Sequence, residues 1–127
     1  DAPGVDLVLN LEDQLPSGLG LFDHVECTSV LEHSKKPWLL AENIERLMAP
    51  GATIFLSVPF IWKIHSYPDD LWRLTPNAVR SIFPAVNWLR LMLANETLSA
   101  DVKIAGVRVN GHSYLSRTET VGFGVRV

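Results

Sequence analysis

Residues 22–59, FDHVECTSVLEHSKKPWLLAENIERLMAPGATIFLSVP, read in order as an apolar strand, a polar loop, an amphipathic helix, a Pro-Gly turn and a second apolar strand. A strand, helix and strand this close along the chain leave one compact arrangement, the right-handed parallel crossover. The loop after the first strand of such a unit lies at the carboxyl end of the sheet, where α/β folds place their ligands. That loop holds Glu32 and His33. The rest of the chain must be arranged around one parallel strand pair, which sets the fold class as α/β.

Within the unit, Phe22–Thr28 puts Val25 and Cys27 on one face and His24, Glu26 and Thr28 on the other. Central parallel strands are usually apolar on both faces. The ionisable His24 and Glu26 therefore predict a poorly covered face. The spacing of Leu40, Ile44, Leu47 and Met48 predicts a helix over Pro37–Ala49, with Glu42, Glu45 and Arg46 on its solvent side. Pro37 suits the first turn, and Pro50-Gly51 ends the helix. Ala52–Val58 is then a buried strand.

Upstream, Val5–Leu9 reads as a strand, and the polar residues from Asn10 to Gly18 as a loop. Downstream, Phe60–Leu74 is a loop dense in aromatics and charges. Thr75 as N-cap and Pro76 at the first position open a helix running to about Phe83. Residues 85–93 fit both the helical and the extended period; Pro84 before them favours a strand. Val102–Val109 and Glu119–Val127 read as strands, the second alternating through Val121, Phe123, Val125 and Val127, with Asn110-Gly111 in the turn between. The whole is a single domain over residues 1–127, with parallel core strands followed by an antiparallel C-terminal hairpin.

Composition narrows the partners. Of the 127 residues, 47% are hydrophobic and 20% charged, as in an ordinary globular domain. A formal net charge of −3, with no basic run longer than Lys35-Lys36, predicts that nucleic acid is not a partner. No stretch approaches the roughly 20 apolar residues of a membrane helix, and no leader sequence is evident. Cys27 is the only cysteine, so no internal disulfide forms and a reducing, cytoplasmic setting is expected. The histidines His24, His33, His65 and His112 show no metal-ligand spacing, so no metal is expected.

Three blocks then carry a family resemblance: Asp6-Leu7-Val8 with Leu11-Glu12 and Leu15-Pro16; Phe22-Asp23 through Ser29-Val30-Leu31-Glu32-His33; and Arg46-Leu47-Met48-Ala49-Pro50-Gly51 leading into Ile54–Pro59. In this order the sequence resembles the C-terminal two-thirds of a class I S-adenosylmethionine-dependent methyltransferase. The block from His65 to Pro76 is similar to a loop-to-helix segment of some of these enzymes. The resemblance implies S-adenosylmethionine as cofactor. It places Asn10, Leu11 and Glu12 near the adenine, and Thr28, Ser29 and Leu31 where cofactor and acceptor meet. Glu32, His33 and His65 are its candidates for handling a proton. Trp62, Tyr67, Asp69, Trp72 and Arg73 would form a lid over a small-molecule acceptor. The plainer reading of the same residues is loop anchoring by Glu32 and His33, an internal Asp–Arg pair and aromatic packing.

The family's Gly-rich cofactor loop has no counterpart in the matched blocks, and Gly18-Leu19-Gly20 stands in the wrong place for it. The family sheet has the order 3-2-1-4-5-7-6, so this chain reads as a truncated Rossmann-like sheet whose Phe22 strand has an open inner edge. Either the Val5 strand moves over to pair with it, or a second copy of the chain covers it as a homodimer. Two functions follow. One is methyl transfer, or the substrate-side portion of it; the other is a non-catalytic form of the fold that at most binds a partner.

Overall fold

A computed structural model of the protein describes residues 3–65, 69–95 and 118–127. The sheet is built on one long strand, β2 (Met48–Ile61), which has neighbours on both sides. β1 (Phe22–Thr28) lies parallel to it, and β4 (Thr118–Arg126) lies antiparallel on the other side, followed by β3 (Val86–Asn95), antiparallel to β4. The order is thus β1-β2-β4-β3. The parallel pair and the antiparallel C-terminal pair are those read from the sequence. Ile54, Leu56 and Val58 of β2 are fully buried, as a strand with neighbours on both edges requires.

The crossover helix α1 (Pro37–Leu47) packs Leu40, Ala41 and Ile44 into this core. It stops at Leu47, two residues before the predicted end, because Met48 is already extended at φ −84°, ψ 132°. Pro50 disfavours helical backbone at Ala49. Gly51 at φ +82° then turns the chain, and the register with β1 shifts between Phe22 and His24. A second correction concerns Glu45. Periodicity puts it on the solvent side, yet it is buried, and its Oε1 accepts the Ala85 N–H at 2.7 Å. It satisfies a backbone donor where α2 (Pro76–Ile82) gives way to β3, a tertiary use that periodicity cannot show. α2 begins as read: the Thr75 side chain accepts the Ala78 N–H at 3.1 Å.

Val5–Leu9 is not a strand. Val5, Leu7 and Val8 are 51%, 54% and 64% exposed, and no described strand lies beside them. A strand needs a ladder partner for its backbone groups, and a β-prone run without one stays irregular. Nor does this run move over to β1, whose outer edge has no strand partner among the described residues. Instead the loop that follows docks on α1, where buried Asn43 donates to Leu11 O at 2.9 Å and to Asp13 O at 2.8 Å. His24 and Glu26 sit on an exposed face of β1, as their charge predicts. Val102–Val109, Asn110-Gly111 and His112 lie outside the described residues.

The C-terminal pair closes the core through a close approach. Trp88 of β3 is buried edge-to-face on Phe83, with ring centroids 5.9 Å apart, and it lies over Gly122 of β4. A Cβ at Gly122 would sit 2.5 Å from Trp88 Cζ3 and 2.8 Å from Leu91 Cδ1. Gly122→Val should therefore lower unfolding free energy by about 1–3 kcal/mol in urea denaturation. Phe123→Val, one residue on at an exposed position, should change it by no more than about 0.5 kcal/mol.

Candidate functional site

The site forms at the carboxyl ends of β1 and β2. Past Thr28 the chain takes a left-handed residue, Ser29 at φ +52°, whose N–H donates to Ser57 O of β2 at 3.0 Å. For a non-glycine residue that conformation costs on the order of 1–2 kcal/mol. It lifts the chain off the sheet into a single 3-10 turn, Leu31–His33. Leu31 fills the core beneath the turn, and the Glu32 side chain is carried inward to full burial.

The segment after β2 then clasps this turn. Leu71 N–H donates to Glu32 O at 2.7 Å, Trp72 Nε1–H donates to Ser34 O at 2.7 Å, and His33 Nδ1 lies 2.5 Å from Asp69 O. Trp38 meets Trp72 edge-to-face, centroids 6.1 Å apart, and Thr120 of β4 donates to Leu74 O at 2.6 Å. The clasp brings His65 to His33, ring centroids 5.0 Å apart at 87°. Glu32, His33 and His65, far apart in part along the chain, thus share one small volume.

Two acids in this volume are driven in opposite directions. Neither oxygen of Glu32 has a hydrogen-bond partner, and the nearest cationic atom is His33 Nε2 at 3.7 Å from Oε1. Burial pushes its carboxyl above the usual carboxylate range. Asp70 is the reverse. Both its oxygens are held by the Arg73 guanidinium, Oδ2 at 2.6 Å from Nη2, and Oδ2 also accepts the His65 N–H at 2.9 Å. The Arg73 hydrogen bonds hold the Asp70 carboxyl well below the usual range. One acid disposed to keep its proton beside one fixed as an anion is an arrangement typical of reactive sites.

The expected cofactor residues lie close by. Glu12 Oε1 accepts from Ser34 Oγ and from Lys35 N–H, both at 2.8 Å, and the Ser34 bond is the main reason its carboxyl lies below the usual range. Asn10 Oδ1 accepts the Glu12 N–H at 3.1 Å, and Leu11 O is tied to Asn43. The 10–13 loop is thereby anchored beside the Leu31–His33 turn. Thr28 is exposed at the strand end and Ser29 is half-buried. Trp62, Trp72 and Arg73 line an open groove of about 430 Å³ with Phe60 and Leu71. Asp69 contributes its carbonyl, while its side chain is exposed. Tyr67 lies outside the described residues.

Ser34 and Asp70 are the members that reading the sequence passed over. Ser34 joins the three segments at once, through Glu12, Trp72 and its own turn. Nothing local marks it. Asp70 had a signal, the i,i+3 spacing to Arg73, and the internal Asp–Arg pair forms as the plainer reading had it.

No family model matches the sequence, and no curated protein matches it. Solved structures do. N-methyltransferase NodS from Bradyrhizobium japonicum WM9, in complex with S-adenosylhomocysteine, superposes at TM-score 0.58 with 10% identity, over 93% of this chain and 52% of NodS. A methyltransferase in complex with the Haloferax volcanii Trm112 activator gives 0.58 and 19%, over 91% of this chain and 59% of that one. The 16S rRNA (adenine(1408)-N(1))-methyltransferase from Catenulisporales acidiphilia gives 0.54 and 21%, over 92% and 60%. The fold is that of the class I methyltransferases. Within the class I methyltransferase sheet, β1-β2-β4-β3 is the 4-5-7-6 side. The chain spans 52%, 59% and 60% of these three proteins.

The comparison corrects one expectation. A net charge of −3 was read as ruling out nucleic acid, yet the Catenulisporales protein with this fold acts on 16S rRNA. Mean charge describes the whole surface, whereas an acceptor meets one groove, so the exclusion does not hold. Among the described residues no helix is long and apolar enough to cross a membrane.

Proposed function

We propose that the chain forms the acceptor side of an S-adenosylmethionine-dependent methyltransferase. The observation that carries this reading is the joining of three segments at the sheet's carboxyl end: the 10–13 loop, the turn after β1 and the clasp after β2. That the matched part of NodS belongs to a complex with S-adenosylhomocysteine supports the cofactor. When bound, S-adenosylmethionine supplies an electrophilic methyl group. Exposed Thr28 and the backbone opened by Ser29 suit a polar ligand at the strand end, and Asn10 and Glu12 frame the neighbouring loop.

The groove beside Trp62, Trp72 and Arg73 would seat the acceptor, and 430 Å³ suits a group of small-molecule size, free or as the exposed end of a larger molecule. Much of the acceleration in a direct transfer comes from holding two partners in line. The Glu32–His33–His65 cluster would take the proton an oxygen or nitrogen acceptor loses. Titration calorimetry with S-adenosylhomocysteine tests the reading. A micromolar dissociation constant, weakened at least tenfold by Ser29→Pro, is the expected result. No heat at millimolar ligand would reject it and leave the non-catalytic form of the fold.

A further inference from the structure

We propose that Glu32, His33 and His65 form a binding site for one divalent transition-metal ion of the zinc or cobalt type. One ligand atom from each of the three lies within 4.8 Å of the other two. Bonds of about 2.1 Å around a tetrahedral or octahedral ion would put such atoms about 3.0–3.4 Å apart. His33 Nε2 and Glu32 Oε1 are already at 3.7 Å, so modest side-chain rotations complete the contraction. Two imidazoles and a carboxylate form a donor set that favours such ions over magnesium or calcium, which prefer oxygen alone.

Two further observations point to a ligand. The Glu32 side chain is 0% exposed and both its oxygens lack a hydrogen-bond partner. A buried carboxylate without a partner is costly, and a cation between the two rings answers that cost directly. The rings are also held in the manner of metal ligands. Asp69 O can only accept, so His33 Nδ1 carries the hydrogen and Nε2, the atom facing Glu32, keeps its lone pair. His65 Nδ1 lies 3.0 Å from Asp70 Oδ2, off the line of a hydrogen bond. Turning the ring into line protonates Nδ1 and leaves Nε2 for the ion. Arg73 faces the cluster too, but its charge is matched by Asp70, so Glu32 sets the local field. Spacing in the sequence hides this set, because His65 reaches it only through the clasp.

This inference stands on the donor set and not on methyl transfer, so each can fail alone. The test uses the purified chain, stripped with a chelator and titrated with cobalt(II) and then zinc. The expected result is one cobalt per chain with visible d–d absorption, displaced by zinc. Affinity should fall roughly tenfold or more in His33→Ala, His65→Ala and the near-isosteric Glu32→Gln. His24→Ala, at an exposed histidine on β1, should bind as the wild type does. Circular dichroism confirms that each variant is folded. Zinc should also raise the Tm of the wild-type chain and not that of Glu32→Gln. Absence of cobalt absorption in the folded wild type overturns the proposal, as does binding that survives Glu32→Gln but is lost in His24→Ala.

Discussion

Arg73→Leu is expected to lower unfolding free energy by about 3 kcal/mol at neutral pH, the lower end of the roughly 3–5 kcal/mol lost when a buried ion pair loses one partner. The lower end applies because the Arg73 side chain is 26% exposed, whereas that of Asp70 is 1% exposed. The charge left behind is therefore the buried one. The sign of the pH dependence follows from Asp70. Its folded pKa lies below the usual 3.8, so the pair's contribution is complete above that value and fades as the pH falls below it. In the leucine variant the abandoned carboxylate prefers to be protonated, so acid relieves it. Urea denaturation of both proteins should show a gap that is widest near pH 7 and narrows below about pH 4. A gap under 1 kcal/mol, unchanged with pH, would mean that Asp70 does not need Arg73. His65 should report the same loss, since Asp70 also receives its backbone N–H.

How far the sequence led depends on whether a feature was local. The crossover unit was legible because each part carries its own signal: the apolar period of α1, Pro37 at its start, the Thr75 cap of α2 and the alternation of β4. Val5–Leu9 has the propensity of a strand, but propensity does not provide a ladder partner, and the run stays exposed. Glu45 lies on the polar side of the helical wheel, and only the arrival of Ala85 makes it a buried acceptor. The candidate site was half legible. Glu32 and His33 follow from their place after β1, whereas His65 joins them only through the pairing of Leu71 and Trp72 with residues 32–34. Charge misled on nucleic acid because a mean over 127 residues does not resolve one groove.

Glu32→Met should make the metal-free chain more stable by about 1–3 kcal/mol near pH 8, an unusual direction for a core substitution. The side chains are close in volume, and the change removes a buried carboxylate with no hydrogen-bond partner. Burial raises the folded pKa of Glu32 above its usual 4.5, so the folded chain binds this proton more tightly than the unfolded one. Wild-type stability therefore declines as the pH rises from about 4.5 through the folded value, a decline the methionine variant lacks. The two should agree near pH 4 and diverge towards pH 8 when denatured in chelator. A methionine variant weaker at every pH would show that Glu32 is well paired as it stands. Adding zinc should reverse the order. An ion that binds only the folded wild type contributes about 2.7 kcal/mol at a hundredfold excess over its Kd, and the variant gains nothing. Stability lost by the bare protein and regained with the ion would mark Glu32 as a residue placed for what it binds and not for how it packs.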